Sequence, residues 1–460
     1  MGILTQILGL LLSLTFLVFI HELGHYIFAR IFKTRVDKFY LFFNPGFSIL
    51  RAKNFSGKWH FSFFSSKTPE EWSEHPDRTE WGIGWLPLGG YCSINGMVDE
   101  TTKPGELPAE PQPYEFRAKP AWQRFLIIIG GVMMNFLSAL VIYGAVLFTW
   151  GQEYIPLSNA EYGLQFTNVG KMAGFEDGDK VISLDGKQPE TIGDFLNGVL
   201  IEGHRHVEID RNGQIINLDL SNDFPQQILA EGGAFSNFNF PFVVDIVVEN
   251  SVAEKAGLRH GDSIVALNGI PYTSYFTLQE QLAENANKLV SINYYRQGVL
   301  QEDSILLGDD GKLGVYYMNP AYYLPVKKVN YTFWESIPKG ISQGFNTLEM
   351  YVKQFKLIAT KEGAKQLGGF GTIGSIFPKV WDWQRFWSMT GFLAIILAFM
   401  NILPIPALDG GYLLFILVEM ITRKKPSDKF IGYANAVGLS LLLLLVLYAN
   451  GMDIIRAFIK

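Results

Sequence analysis

Four stretches of this chain are almost wholly apolar, at about 3–28, 125–150, 386–408 and 431–448. Each approaches or exceeds the roughly 20 residues that a helix needs to cross the hydrocarbon of a bilayer. The last three contain no Asp, Glu, Lys or Arg. A shorter apolar piece, 410–418, cannot span alone; it either continues the third stretch or forms a half-helix beside it. Elsewhere the pattern changes. Residues Trp334, Ile337, Ile341, Phe345, Leu348, Val352 and Phe355 recur at nearly helical spacing. That predicts an amphipathic helix, lying at the membrane interface or packed on neighbouring soluble modules. Between 36 and 91, aromatic runs such as Tyr40-Leu41-Phe42-Phe43 and 59–64 alternate with Gly-rich turns and read as short strands.

The region between the second and third apolar stretches repeats itself. Ala173-Gly174-Phe175-Glu176-Asp177-Gly178-Asp179 recurs as Ala256-Gly257-Leu258-Arg259-His260-Gly261-Asp262. The likeness runs on from 181–186 to 264–269. The spacing predicts two β-rich modules of about 80 residues each, each with a Gly-Asp turn, an apolar strand and an Asp/Asn-Gly hairpin. The expected organisation is a first membrane helix at 1–32, a β-region at 33–120 and a second helix at 121–151. Modules follow at 152–223 and 224–310, then a linker with the amphipathic helix at 311–380. A third membrane segment at 381–422 and a fourth helix at 423–460 complete the chain.

Composition agrees with a membrane protein. Only 18% of the 460 residues are charged and 48% are hydrophobic, against roughly 25% charged in soluble chains. A net charge of -6 and the lack of a basic block argue against nucleic acid as a partner. Cys92 is the only cysteine, which excludes an internal disulfide and a cysteine-based zinc site. No Lys or Arg precedes His21, so the first stretch reads as a retained helix and not as a cleaved signal peptide. Basic groups at 30–38, 117–124 and 423–429 would share one side, and basic loops favour the cytoplasm. Both termini and the repeat region are therefore expected outside it. Lys353, Lys356, Lys361, Lys365 and Lys379 fall on that outer side, but the rule is weak for long loops.

The chemistry concentrates in two segments. His21-Glu22-Leu23-Gly24-His25 closes the first apolar stretch. Helical spacing puts His21 and His25 on one face, where both can bind one metal ion. Two histidines and a glutamate at a membrane boundary are costly without a function. A catalytic zinc needs three protein ligands and an open position. Asp409 is the expected third, because it follows an uncharged stretch in which Pro404 and Pro406 break regular helix. Irregular backbone at membrane depth must line a cavity or lie buried in protein. Glu22 is placed to move a proton between water and a leaving amine. Asn401 offers an amide to the substrate backbone or an oxyanion, or else packs between helices.

Together these residues resemble the site-2 protease family, most closely its RseP-type bacterial members. The family's HExxH and NxxPxPxLDG patterns correspond here to 21–25 and 401–410. The resemblance covers nearly the whole chain. It implies an α-helical polytopic membrane protein of about four transmembrane helices, with a membrane-associated β-region and two inserted PDZ-like domains. It implies one Zn2+ held by His21, His25 and Asp409, with Glu22 as general base. The segment Leu86-Pro87-Leu88-Gly89-Gly90-Tyr91 resembles a re-entrant β-region, whose Leu86, Leu88, Gly89 and Gly90 would hold substrate as an added strand. The implied substrates are single-pass membrane proteins, such as anti-sigma factors after a first external cut, or remnant signal peptides. The implied site is the bacterial inner membrane, with peptide C-termini as ligands of the PDZ-like domains. Departures are Gly131-Val132 and Gly371-Thr372, where the family often has Gly-Pro, and an apparent insertion at 54–78. Two rival readings are an inactive tandem-PDZ membrane scaffold and a metal transporter. The convergence of ionisable residues on one motif pair argues against both.

Overall fold

The computed structural model describes residues 2–87, 89–97, 110–231, 235–319, 322–358, 360, 363 and 367–459. The chain forms two compact units. One comprises 1–151, 330–352 and 367–460; the other comprises 152–329 and 353–366.

The first unit holds the apolar helices. They are α1 (Gly2–Ile31), α2 (Ala121–Trp150), α3 (Phe333–Ile358, of which residues 333–352 belong to this unit), α4 (Phe370–Ser375), α5 (Trp383–Ile402), α6 (Asp409–Thr422) and α7 (Asp428–Ile459). Among the described residues four helices are long and apolar enough to cross a membrane: α1, α2, α5 and most of α7. With the β-sheets below, they make this a polytopic membrane protein. Buried Leu10, Leu17, Ala139, Tyr143, Phe386, Leu393 and Ala394 join α1, α2 and α5 in one core. Close approach of α1 to α2 depends on glycine. A Cβ on Gly24 would lie 2.3 Å from the Gly130 carbonyl oxygen.

The third apolar stretch is longer than its helix, and its two prolines divide it from the helix that follows. Helix α5 stops at Ile402. Pro404 and Pro406 hold 403–408 out of regular helix, and Ala407 takes φ +75°. Residues 410–418 then belong to α6, a helix of its own that starts at Asp409. Helix α3 contains the amphipathic pattern. It packs lengthwise and antiparallel on α2, with Phe333 on Phe148 and Phe345 on Phe136. Gly340 admits the α2 backbone, since a Cβ there would meet Gly144 N at 2.4 Å.

A five-stranded sheet follows α1. Its strands are β1 (Val36–Leu41), β2 (Ser48–Phe55), β3 (Lys58–Ser65), β4 (Glu80–Ile83) and β5 (Tyr91–Ile94), in the order β3-β2-β4-β1-β5. Only β1 and β4 pair in parallel; the other pairs are antiparallel. One face rests on α1, where Phe39 touches Phe19 and Tyr26. The other face buries Arg51 against Glu80 at 2.7 Å, and Tyr40 donates its hydroxyl proton to the same carboxylate.

The second unit contains two hydrophobic cores, one around Phe166, Phe175, Phe195 and Ile209, the other around Val244, Leu258, Ile264 and Ile292. The sequence repeat reappears as matched ion pairs. Asp179 accepts two hydrogen bonds from Arg211, and Asp262 accepts two from Arg296. Each arginine also donates to a glycine carbonyl, Gly174 or Gly257. Asp177 links the repeats. Its Oδ2 accepts from Thr273 and Ser274, each at 2.8 Å, at the start of the helix Tyr275–Glu284.

Candidate metal centre

Helix α1 continues through His21-Glu22-Leu23-Gly24-His25, so the two imidazoles sit one turn apart. Their Nε2 atoms lie 3.2 Å from each other. Asp409, the first residue of α6, brings Oδ2 to 3.2 Å from His21 Nε2 and 3.4 Å from His25 Nε2. Ligand atoms about 2.1 Å from a tetrahedral zinc stand about 3.4 Å apart, so the three fit the corners around one such ion. His25 Nδ1 donates to the Ile127 carbonyl at 2.9 Å, which leaves Nε2 with a free lone pair. Asp409 Oδ2 is buried and receives no aligned hydrogen bond. A carboxylate oxygen and imidazole lone pairs facing one point need a cation there.

Space has been kept for it. A Cβ on Gly131 would lie 2.4 Å from His25 Nε2 and 2.8 Å from His21 Cε1. Beside it, Asn135 is buried at 1% exposure, with its amide 3.4 Å from His21 Nδ1 and its Oδ1 unsatisfied. Turning that amide over presents Oδ1 to a protonated Nδ1, which is the tautomer that frees Nε2 for metal. On the opposite side, Asn435 of α7 pins the ligand-bearing loop. Its Oδ1 accepts from Ala407 N at 3.2 Å, and its Nδ2 donates to the Tyr412 hydroxyl at 3.1 Å.

The other expected residues fall around this point. Glu22 is half-buried on α1, within electrostatic reach of Cys92 on β5. Asn401 lies in the last turn of α5, at the start of the loop to Asp409. Leu86 exchanges backbone hydrogen bonds with Phe43 at 3.1 and 3.2 Å. Gly89 lies over the Phe43 ring, and a Cβ on Gly90 would meet Val18 Cγ1 at 3.0 Å, one turn before His21. Leu88 lies outside the described residues. Gly131, Asn135, Ile127 and Asn435 were not singled out as site residues from sequence. A small residue three to four positions from an asparagine in an uncharged stretch was the available signal.

The sequence model of peptidase family M50 matches residues 9–66 and 67–445. The chain belongs to peptidase family M50. Curated relatives span it end to end. A protein of Ralstonia nicotianae classed as a zinc metalloprotease is 24% identical, with 98% of this chain and 99% of that one covered. A similarly classed protein of Neisseria meningitidis is 26% identical, with 98% and 99% covered. The regulator of sigma E protease of Haemophilus influenzae is 24% identical, with 99% and 100% covered. The protein is therefore a site-2-type metalloendopeptidase whose cofactor is Zn2+, and the scaffold and transporter readings fall away.

Proposed function

We propose that this chain is an intramembrane endopeptidase that cuts within the transmembrane segments of single-pass membrane proteins. Anti-sigma factors already trimmed outside, or remnant signal peptides, are the substrates its likeness favours. The observation that carries the reading is the convergence of His21, His25 and Asp409 between apolar helices. These three would hold the ion. Bound there, zinc lowers the pKa of water to about 7 and polarises a carbonyl. Glu22, next in sequence to His21, takes the proton of the attacking water and delivers it to the departing amine. The Asn401 amide steadies the carbonyl oxygen as it gains charge. Asn135 holds His21 in its binding tautomer, and Asn435 holds the strained loop that presents Asp409.

A membrane helix satisfies its own backbone and resists attack until it unwinds. The stretch from Leu86 to Gly90 would receive the unwound segment as an added strand. The two repeat modules are read as PDZ-like domains that dock peptide ends or exclude untrimmed substrates. Deleting 163–307 should then admit untrimmed substrates; unchanged rejection would sink that role. The basic flanks put the metal centre toward the cytoplasmic side and both termini outside. The decisive comparison is wild type with Glu22→Gln. The variant should keep zinc and lose cleavage of a membrane-embedded substrate; equal cleavage by both would remove Glu22 from the mechanism.

A further inference from the structure

The segment 54–78, read from sequence as an insertion, adds strand β3 to the outer edge of the sheet. Side chains paired across strands share a face. Phe39 pairs with Trp81, Trp81 with Ala52, and Ala52 with Phe61. Leu41, Ile83, Leu50 and Phe63 form a parallel row. Phe61 and Phe63 therefore lie on the face that packs against α1. At β1 and β4 that face is covered, with Tyr26 on both Phe39 and Trp81. At β3, two strands farther out, it is bare among the described residues. Trp59, Phe61 and Phe63 form a ladder with ring centroids 6.4 and 6.5 Å apart. They are 52%, 58% and 65% exposed, and Phe64 is 73% exposed.

Register fixes the height of this ladder. Phe39 rests on Phe19 and Tyr26, five to twelve residues before α1 ends at Ile31. At 1.5 Å per residue this is about 8–18 Å inside the end of the helix. Phe61 stands in the same row, and Phe63 one step farther toward the helix's middle. The deep end of the sheet confirms the direction. Phe42, Pro87 and Gly89 line an apolar cavity of about 640 Å3 together with Ile7, Leu10, Leu11 and Leu14 of α1. Along β3 the chemistry follows the same gradient. Lys58 and the polar hairpin turn at 56–57 stand at one end, Trp59 follows, and 59–66 carries no acidic or basic side chain except the half-buried His60. Tryptophan at headgroup level with phenylalanine below is the profile of a bilayer interface.

We propose that β3 is a lipid-facing fin: Trp59 sits among headgroups and Phe61 and Phe63 reach the acyl chains of the leaflet that holds the metal centre. The occupant of this face is lipid, because the row that ends at Phe61 begins at Phe39, which rests on Phe19, an exposed side chain of the apolar helix α1. The inference rests on α1 being a membrane span, and the test separates the two. In a Cys92→Ala background, single nitroxides are placed by W59C, F61C and F63C in proteoliposomes, with L12C on α1, where Leu12 is exposed, as the control. Collisions with oxygen and with a water-soluble nickel chelate are measured by electron paramagnetic resonance. The expected result is high oxygen and low nickel access at 61 and 63, with the oxygen-to-nickel ratio rising from 59 to 63. Nickel access at all three positions while L12C stays lipid-exposed overturns the fin. Shielding from both reagents also overturns it, and points to a protein cover instead. Nickel access at L12C itself would fault the membrane reading. Quenching of Trp59 by lipids brominated at graded depths, taken as wild type minus Trp59→Phe, gives a second reading of its depth without a label. Deep or absent quenching there would contradict headgroup placement.

Discussion

At the residue scale the centre depends as much on what is missing as on what is present. Gly131 keeps open the space beside His25 Nε2. Gly131→Ala is expected to abolish zinc retention, measured as metal per purified protein. Gly144→Ala on the same helix, whose Cβ would meet only ordinary contact at 3.5 Å, should retain it. Asn135→Ala should weaken zinc binding by about 10–100-fold, the usual cost of removing a ligand's outer partner. Asn135→Asp keeps an acceptor for His21 Nδ1 and should recover most of the affinity. If Asn135→Ala binds zinc like wild type, the amide does not orient His21. The meeting of His21, His25 and Asp409 was legible in the sequence because ligand chemistry needs particular side chains at particular spacings. Gly131 and Asn135 were not, because a glycine in an apolar helix looks the same whether it admits a helix or a metal.

At the element scale, helix ends and strand edges do most of the positioning. The loop between α5 and α6 turns an apolar run into two helices and places Asp409 at the start of the second. Hydrophobicity alone did not separate them; the two prolines did, once the turn between them was seen. In the second unit, the side chain of Asp177 is 3% exposed beside Lys171. Burial alone would raise its pKa, but hydrogen bonds from Phe166 N, Ser274 and Thr273, with the Lys171 charge, hold it below the ordinary carboxylate range. A depressed folded-state value means stability that is complete above the unfolded pKa and lost as pH falls through the folded one. Asp177→Asn should cost about 2 kcal/mol, as expected for a buried charged acceptor. In urea titrations the gap from wild type should be flat above about pH 5 and close below about pH 4. A gap that widens with acid would mean that Asp177 does not carry this link.

At the scale of the whole molecule, the three ligand residues come from α1 and the start of α6, within the unit that holds the four helices long enough and apolar enough to cross a membrane, and the proposed topology has both termini outside the cytoplasm. A periplasmic-type reporter such as alkaline phosphatase fused after Lys460 should be active, while a fluorescent protein fused there should stay dark. The opposite pattern would invert the proposed topology. The number of spans, the repeat and the metal motif could all be read along the chain, since each is a local pattern. What could not be read is the pairing of distant parts: α3 laid on α2, Asn435 of α7 against Ala407, and β3 added to the sheet edge. Those depend on packing that no single stretch encodes. The central claim is that peptide bonds are broken inside the membrane at this centre. It is tested most directly by mass spectrometry of the products from a single-pass substrate, cut by the purified protein in bilayers. Cleavage within the substrate's apolar segment, absent with Glu22→Gln and with Asp409→Asn, is the predicted result. Cuts confined to the water-exposed flanks, or the same cuts from Glu22→Gln, would contradict it.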